Sequence, residues 1–220
     1  MIRLINLLFF AFIINYLAQT EIKHSTYYYQ RLSFFESLPN DSNEIIFLGN
    51  SITDGSEWSE IFNDLRIKNR GISGDITEGV FDRLDEVIEA KPEKIFIMIG
   101  VNDLAFGVAF DTIVTNYKKI IDKISLFSPR TKLFIQSVLP VNPNFEKFKD
   151  HINKTDEIIQ LNKELKNISK SYNLTYIDLH SQFVNEDDFL DTNYTNDGLH
   201  LLGKGYMLWK AIVEKFIYEK

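Results

Sequence analysis

The amino-acid sequence predicts an α/β protein organised on a five-stranded parallel sheet covered on both faces. Two observations carry this prediction. Short strand-like runs, some of them apolar throughout, such as Ile45-Ile-Phe-Leu48 and Ile95-Phe-Ile-Met-Ile99, alternate five times with longer segments of helical periodicity. That alternation is the pattern of strand–helix–strand crossovers, which are right-handed and return each strand parallel to the last. Composition agrees. Of the 220 residues, 45% are hydrophobic and 25% charged, enough for one sizeable core, with no linker to divide residues 19–220 into separate domains.

The elements follow in order. A first helix is predicted over residues 26–37, capped by Ser25 or Thr26, with Tyr28, Leu32 and Phe35 on one face. Pro39 to Asn43 turn the chain into the first strand, Ile45 to Leu48. Gly49 then allows a sharp turn, and Asn50 tolerates unusual dihedral angles. Trp58, Ile61, Phe62 and Leu65 recur at helical spacing. Ile67 to Arg70 is the second strand and runs into a loop bracketed by Gly71 and Gly74. A helix from Asp75 or Thr77 to Ala90 carries an apolar stripe of Val80, Phe81, Leu84, Val87 and Ile88, and Lys91-Pro92 closes it. The third strand is Ile95 to Ile99, the next helix Asp111 to Phe127, and the fourth strand Leu133 to Val138. Thr155 is expected to cap a helix reaching Tyr172. The fifth strand is Leu174 to Leu179, residues 181–199 read as polar loop, and the last helix runs from Gly203 or Lys204 to Tyr218. Polar loops follow all five strands and therefore open on one edge of the sheet, where α/β proteins of this kind hold their ligands.

Charge and composition exclude several classes. A net charge of −7 argues against nucleic acid as a partner, because phosphate binding needs concentrated Lys and Arg. The absence of cysteine removes disulfides, thiolate metal sites and cysteine nucleophiles. No histidine pair has metal-ligand spacing. At the N-terminus, Met1-Ile2-Arg3 is followed by the largely apolar Leu4 to Leu17, a basic start and short apolar run that read as a signal peptide over residues 1–18, cleaved after Ala18. Tyr16 is bulky where a small residue is preferred, so an uncleaved membrane anchor and a buried helix stay open as alternatives. The signal-peptide reading implies a secreted or periplasmic protein.

Ser51 falls just past the first strand, at the ligand-binding edge. By position alone it is a helix cap or turn former as much as a nucleophile. Acyl transfer by serine would also need a base, an orienter for that base and donors aimed at the oxyanion. Asp197 and His200 are three apart before the last helix, so both can lie on one side of a turn. Asp178 and His180, two apart at the end of the fifth strand, are the rival pair. Gly74, with no side chain, can bring its N–H close to a substrate, and Asn102 carries an amide donor at the end of the third strand. Each is also ordinary turn chemistry. The Ser51 N–H is a third candidate donor. The Gly-x-Ser-x-Gly elbow is absent because Thr53 replaces the last glycine, and Gly198 to Lys204 only mimics a phosphate loop.

Four blocks occur together and in order: Gly49-Asn-Ser51-Ile-Thr53, Asn69-Arg-Gly-Ile-Ser-Gly74-Asp75, Gly100-Val-Asn102-Asp103 and Asp197-Gly-Leu-His200. As a set they resemble the SGNH hydrolase (GDSL esterase/lipase) family. The resemblance implies a three-layer α/β/α sandwich of flavodoxin type. It makes Ser51 the nucleophile, His200 the base and Asp197 its orienter, with Ser51, Gly74 and Asn102 as the oxyanion hole and no metal or organic cofactor. Asn50 departs from the aspartate of the family name, which implies a local hydrogen-bond change only. The second block and Leu139-Pro-Val-Asn142 are similar to the branch of platelet-activating-factor acetylhydrolase-like enzymes and bacterial sialate O-acetylesterases. That branch implies short acyl groups, acetyl above all, on a small-molecule or glycan ester, with membrane contact only through the N-terminal segment. A lipase or lysophospholipase acting on longer chains and a catalytically silent carbohydrate-binding protein are the alternatives.

Overall fold

The computed structural model describes residues 23–219, so the predicted leader, residues 1–18, lies outside the described residues. Five parallel strands, β1 (Ile45–Gly49), β2 (Ile67–Gly71), β3 (Lys94–Met98), β4 (Lys132–Gln136) and β5 (Thr175–Ile177), form one sheet in the order β2-β1-β3-β4-β5. This is the flavodoxin-type α/β/α sandwich that the four sequence blocks imply. Every residue of β1 and β3 is buried, which is why their sequences, Lys94 apart, run apolar without alternation.

Strand order dictates where the helices go. The step from β1 to β2 runs one way along the sheet, and the steps β2 to β3, β3 to β4 and β4 to β5 run the other. With right-handed crossovers the two sets of helices must cover opposite faces. On one face α3 (Trp58–Phe62) packs against the C-terminal α11 (Gly203–Tyr218), with Trp58 and Trp209 edge to face at 4.8 Å. On the other, α7 (Phe110–Phe127) packs against α4 (Thr77–Asp82), α5 (Leu84–Ile88) and α9 (Thr155–Ser171). The strand order reverses between β1 and β3, so their carboxyl ends flank the crevice where such sheets take ligands. The remaining helices are α1 (Thr26–Glu36), α2 (Ser51–Asp54), α6 (Val101–Ala105), α8 (Lys149–Ile152) and α10 (His180–Phe183). Ser25 caps α1 by accepting from Tyr28 N–H, and Tyr28 and Phe35 are buried with Ile72.

Several boundaries differ from the sequence prediction, each for a local reason. Leu65 is 83% exposed, because α3 stops at Phe62 and Asn63 turns the chain in a left-handed conformation. The helix predicted through Ala90 is broken at Arg83 and ends at Ile88; Arg83 leaves helical dihedrals where its guanidinium reaches Gly49 and Arg70 carbonyls across the sheet edge. Thr155 is the first residue of α9 rather than its cap, which is Lys154 without a side-chain bond. β5 stops at Ile177 because Ser137 Oγ then accepts from Leu179 and His180 N–H, ending the strand ladder. The predicted polar loop 181–199 contains the end of α10 and a bridge between Val184 and Leu190, with Phe183 and Leu190 fully buried. Gly49 does not serve a positive φ. A side chain there would collide with Thr53 Oγ1 and Met98 O, so glycine is required for close packing of α2 on the sheet.

Candidate active site

The site starts at the end of β1. Asn50 takes an extended conformation, and its side chain accepts from Ile52 N–H, so it acts as the cap of α2. Ser51 is therefore the first helical residue, and its N–H has no acceptor within the helix. Helix α2 is tied in place from behind: Asn69 Nδ2 donates to the carbonyls of Thr53, Asp54 and Ser56, and Tyr206 Oη donates to that of Ile52.

The histidine arrives from the far end of the chain. Ser51 Oγ lies 3.0 Å from His200 Nε2, and His200 Nδ1 lies 2.9 Å from Asp197 Oδ2. The other carboxylate oxygen, Oδ1, accepts from Leu199 and His200 N–H at 2.9 and 2.8 Å. Burial works against ionisation of Asp197, but these bonds outweigh it and hold the carboxyl below its usual range. Gly198, at φ +84°, lets the loop fold on itself, and its carbonyl accepts from Asn142 N–H. Asn142 also donates through Nδ2 to Leu190 O, so the loop after β4 clamps the histidine loop against the sheet. The rival pair is elsewhere. Asp178 accepts from Ser181 N–H at the start of α10, and His180 Nε2 is buried with no hydrogen-bond partner among the described residues. The imidazole at Ser51 belongs to His200, not His180.

The expected oxyanion donors gather beside Ser51. Gly74 has φ +82°, a conformation that favours glycine, and a side chain there would project into open space, the cavity itself. Ser73 Oγ donates to Asp54 Oδ2, fixing this loop to α2. Asn102 Nδ2 donates to Asp75 O at 2.8 Å, leaving its second N–H for a ligand. Behind it, Asp103 is wholly buried and accepts from both N–H and hydroxyl of Thr77, joining α6 to the start of α4. Burial pushes Asp103 up to about 6 against the pull of those bonds. Asp75 itself is buried in an ion pair with Arg83 at 2.9 Å.

Ser51, Gly74, Asn102 and His200 surround a cavity of about 270 Å³, walled by Phe106, Phe148, His151 and Leu199. A larger cleft of about 560 Å³ beside α5 is lined by Glu36, Asp85, Glu86, Glu89 and Lys91 and contains no serine or histidine. Three wall residues, Phe106, Phe148 and His151, belong to none of the four sequence blocks. His151 Nε2 lies 3.0 Å from Asn102 Oδ1, and Phe148 stacks edge-on to His200 at 4.9 Å. Their sequence signal is an aromatic and an imidazole one helical turn apart in the loop after β4.

A parallel sheet carrying serine, histidine and aspartate hydrogen-bonded in series at its carboxyl edge has the arrangement of a serine hydrolase. Residues 47–208 match the model of the GDSL-like Lipase/Acylhydrolase family, and the chain belongs to that family. It is similar to platelet-activating factor acetylhydrolase IB subunit alpha2 of Homo sapiens, 25% identical over 169 residues that cover 74% of this chain and 71% of that one. A GDSL-like lipase from Bacteroides thetaiotaomicron superposes with a TM-score of 0.76 at 24% identity, over 86% of this chain and 96% of the other. A catalytic mutant of an acetylxylan esterase from Geobacillus stearothermophilus gives 0.67 at 17% identity, over 83% and 97%. The protein is a carboxylic ester hydrolase of the SGNH/GDSL acylhydrolase class.

Proposed function

We propose that this enzyme removes short acyl groups, acetyl foremost, from carbohydrate hydroxyls such as those of sialic acid or a polysaccharide, outside the cytoplasm. The observation that carries the reading is the size of the cavity beside Ser51. At about 270 Å³, lined by Phe106 and Phe148, it suits a small acyl group better than a long chain. The names of similar proteins support the same substrate range, an acetylhydrolase and an acetylxylan esterase among them. The N-terminal segment, read as a signal peptide, supports export to the periplasm or beyond.

In this reading Ser51 Oγ attacks the ester carbonyl carbon while its proton passes to His200 Nε2. Asp197 holds the ring in the tautomer that accepts there and stabilises the imidazolium that forms. Ser51 N–H, Gly74 N–H and Asn102 Nδ2 receive the developing oxyanion. The tetrahedral adduct collapses, the C–O bond to the sugar breaks, and His200 returns the proton to the departing hydroxyl. Water then repeats the sequence on the acyl-enzyme and releases the carboxylic acid.

Hydrolysis of a p-nitrophenyl ester series, beside a screen of acetylated sialic acids, acetylated xylan and glycolipids, tests the proposal. Highest kcat/KM at two or three acyl carbons and release of acetate from a glycan are expected. A maximum at eight carbons or more would make the enzyme a lipase or lysophospholipase instead.

A further inference from the structure

We propose that His151 is a positioning residue of the oxyanion hole: it donates from Nε2 to Asn102 Oδ1 and so fixes the carboxamide whose other end faces the ester. The inference rests on the reading of Asn102 as an oxyanion donor. The geometry is a short chain. His151 Nε2 is 3.0 Å from Asn102 Oδ1, and Asn102 Nδ2 is 2.8 Å from Asp75 O. Each end of the amide thus has one partner, and the pattern is self-consistent. Asp75 O can only accept, which places the NH₂ on its side and leaves the oxygen for a ring N–H.

This second partner matters for two physical reasons. The terminal torsion of an asparagine is broad, so one hydrogen bond leaves the amide free to rock; two opposed bonds do not. A donor on the amide oxygen also draws electron density from it, making the remaining N–H a stronger donor to a developing oxyanion. The neutral ring suffices, and burial together with the neighbouring His200 pushes the His151 imidazole below its usual range.

The fold around His151 is built to hold it. Phe148 is the N-cap of helix α8 and sits in the left-handed region at φ 54°, uncommon for a bulky residue and concentrated at functional sites. His151 N–H donates to Phe148 O. The rings of Phe106 and Phe148 both stand edge-on to the imidazole, at 5.9 and 6.1 Å. Phe148 is also edge-on to His200 at 4.9 Å, so one loop sets both imidazoles.

The test is a double-mutant cycle on p-nitrophenyl acetate with His151→Phe, His151→Gln, Asn102→Ala and His151→Phe combined with Asn102→Ala. His151→Phe is expected to lower kcat by about 10- to 100-fold, as loss of an orienting partner does elsewhere, with KM unchanged within about twofold. His151→Gln, which keeps an N–H donor, is expected to recover most of that loss. In the Asn102→Ala background His151→Phe is expected to cost nothing further. Losses that multiply in the double variant, or an unchanged kcat in His151→Phe, overturn the proposal and leave the esterase reading standing. A wild-type enzyme inactive on every ester would instead strike the proposed function. Should His151→Phe not fold, nitrogen NMR of the wild-type histidine rings decides the matter. A His151 protonated on Nε2, with that resonance shifting in Asn102→Ala, is expected; protonation on Nδ1 contradicts the proposal.

Discussion

The Ser51 hydroxyl and the His200 ring meet at 3.0 Å although 149 residues separate them in the chain. Two loops at one edge of the sheet make the meeting. One is the turn from β1 into α2, and the other is the loop before α11, pinned by Asn142 to the segment after β4. A convergence assembled from both ends of the chain, with a carboxylate behind the ring, has a direct chemical consequence for each participant.

Asp197 is expected to matter both for the imidazole and for its loop. Replacement by Ala should lower kcat on p-nitrophenyl acetate by about 10³- to 10⁴-fold, the range seen when the orienting acid of such a relay is lost. Steady-state kinetics would measure it. A loss under tenfold would mean that the ring holds its tautomer through other contacts.

Asn102→Ala is expected to cost about 100- to 1000-fold in kcat with KM little changed, since an oxyanion donor acts mainly in the transition state. The structure adds that the substitution also frees Asp75 O and His151 Nε2. A change confined to KM would show that Asn102 binds the ground state only.

Arg83 supports the site from beneath. It pairs with buried Asp75 and donates to the carbonyls of Gly49 and Arg70, tying the ends of β1 and β2 to the loop that carries Gly74. Arg83→Met strips one partner from a buried pair and should destabilise the fold by about 3–5 kcal/mol. Urea unfolding would measure it; a loss below 1 kcal/mol would mean that Asp75 is neutral in the folded protein.

Asp103 gives a pH dependence of definite sign. Burial raises its folded pKa to about 6, above that of an unfolded aspartate, so the folded state holds the proton more tightly. Its contribution to stability is therefore fully present below the unfolded pKa, near 4, and is lost as pH rises to about 6. Asp103→Asn should flatten the stability curve across that window, on the order of 2–3 kcal/mol relative to the parent. Parallel slopes for the two proteins between pH 4 and 6.5 would contradict it.

How much of this was legible in the sequence depends on the kind of signal. Apolar runs such as Ile45 to Leu48 announce buried strands because a parallel sheet is covered on both faces; all five predicted strands are present, although Ile67-Lys-Asn-Arg70 is not apolar. Boundaries failed where a side chain took over the backbone's work, as Ser137 does at the end of β5, or where a left-handed residue stopped a helix, as Asn63 does. Ser51, Asp197, His200, Gly74 and Asn102 were named from four blocks resembling a known family, and spacing alone had left His180 in contention. His151 and Phe148 carried no such block. Their place at the site follows from how the loop after β4 folds over the sheet edge, and periodicity does not encode that.

The central claim, that Ser51 is the nucleophile of an acyl transfer driven by His200, is tested most directly by the turnover of p-nitrophenyl acetate by Ser51→Ala, with the fold checked by its unfolding midpoint. The expected result is a native-like midpoint and a fall in kcat of about 10⁵- to 10⁶-fold, the scale of losing a serine nucleophile. A folded Ser51→Ala enzyme within tenfold of the parent rate would contradict it.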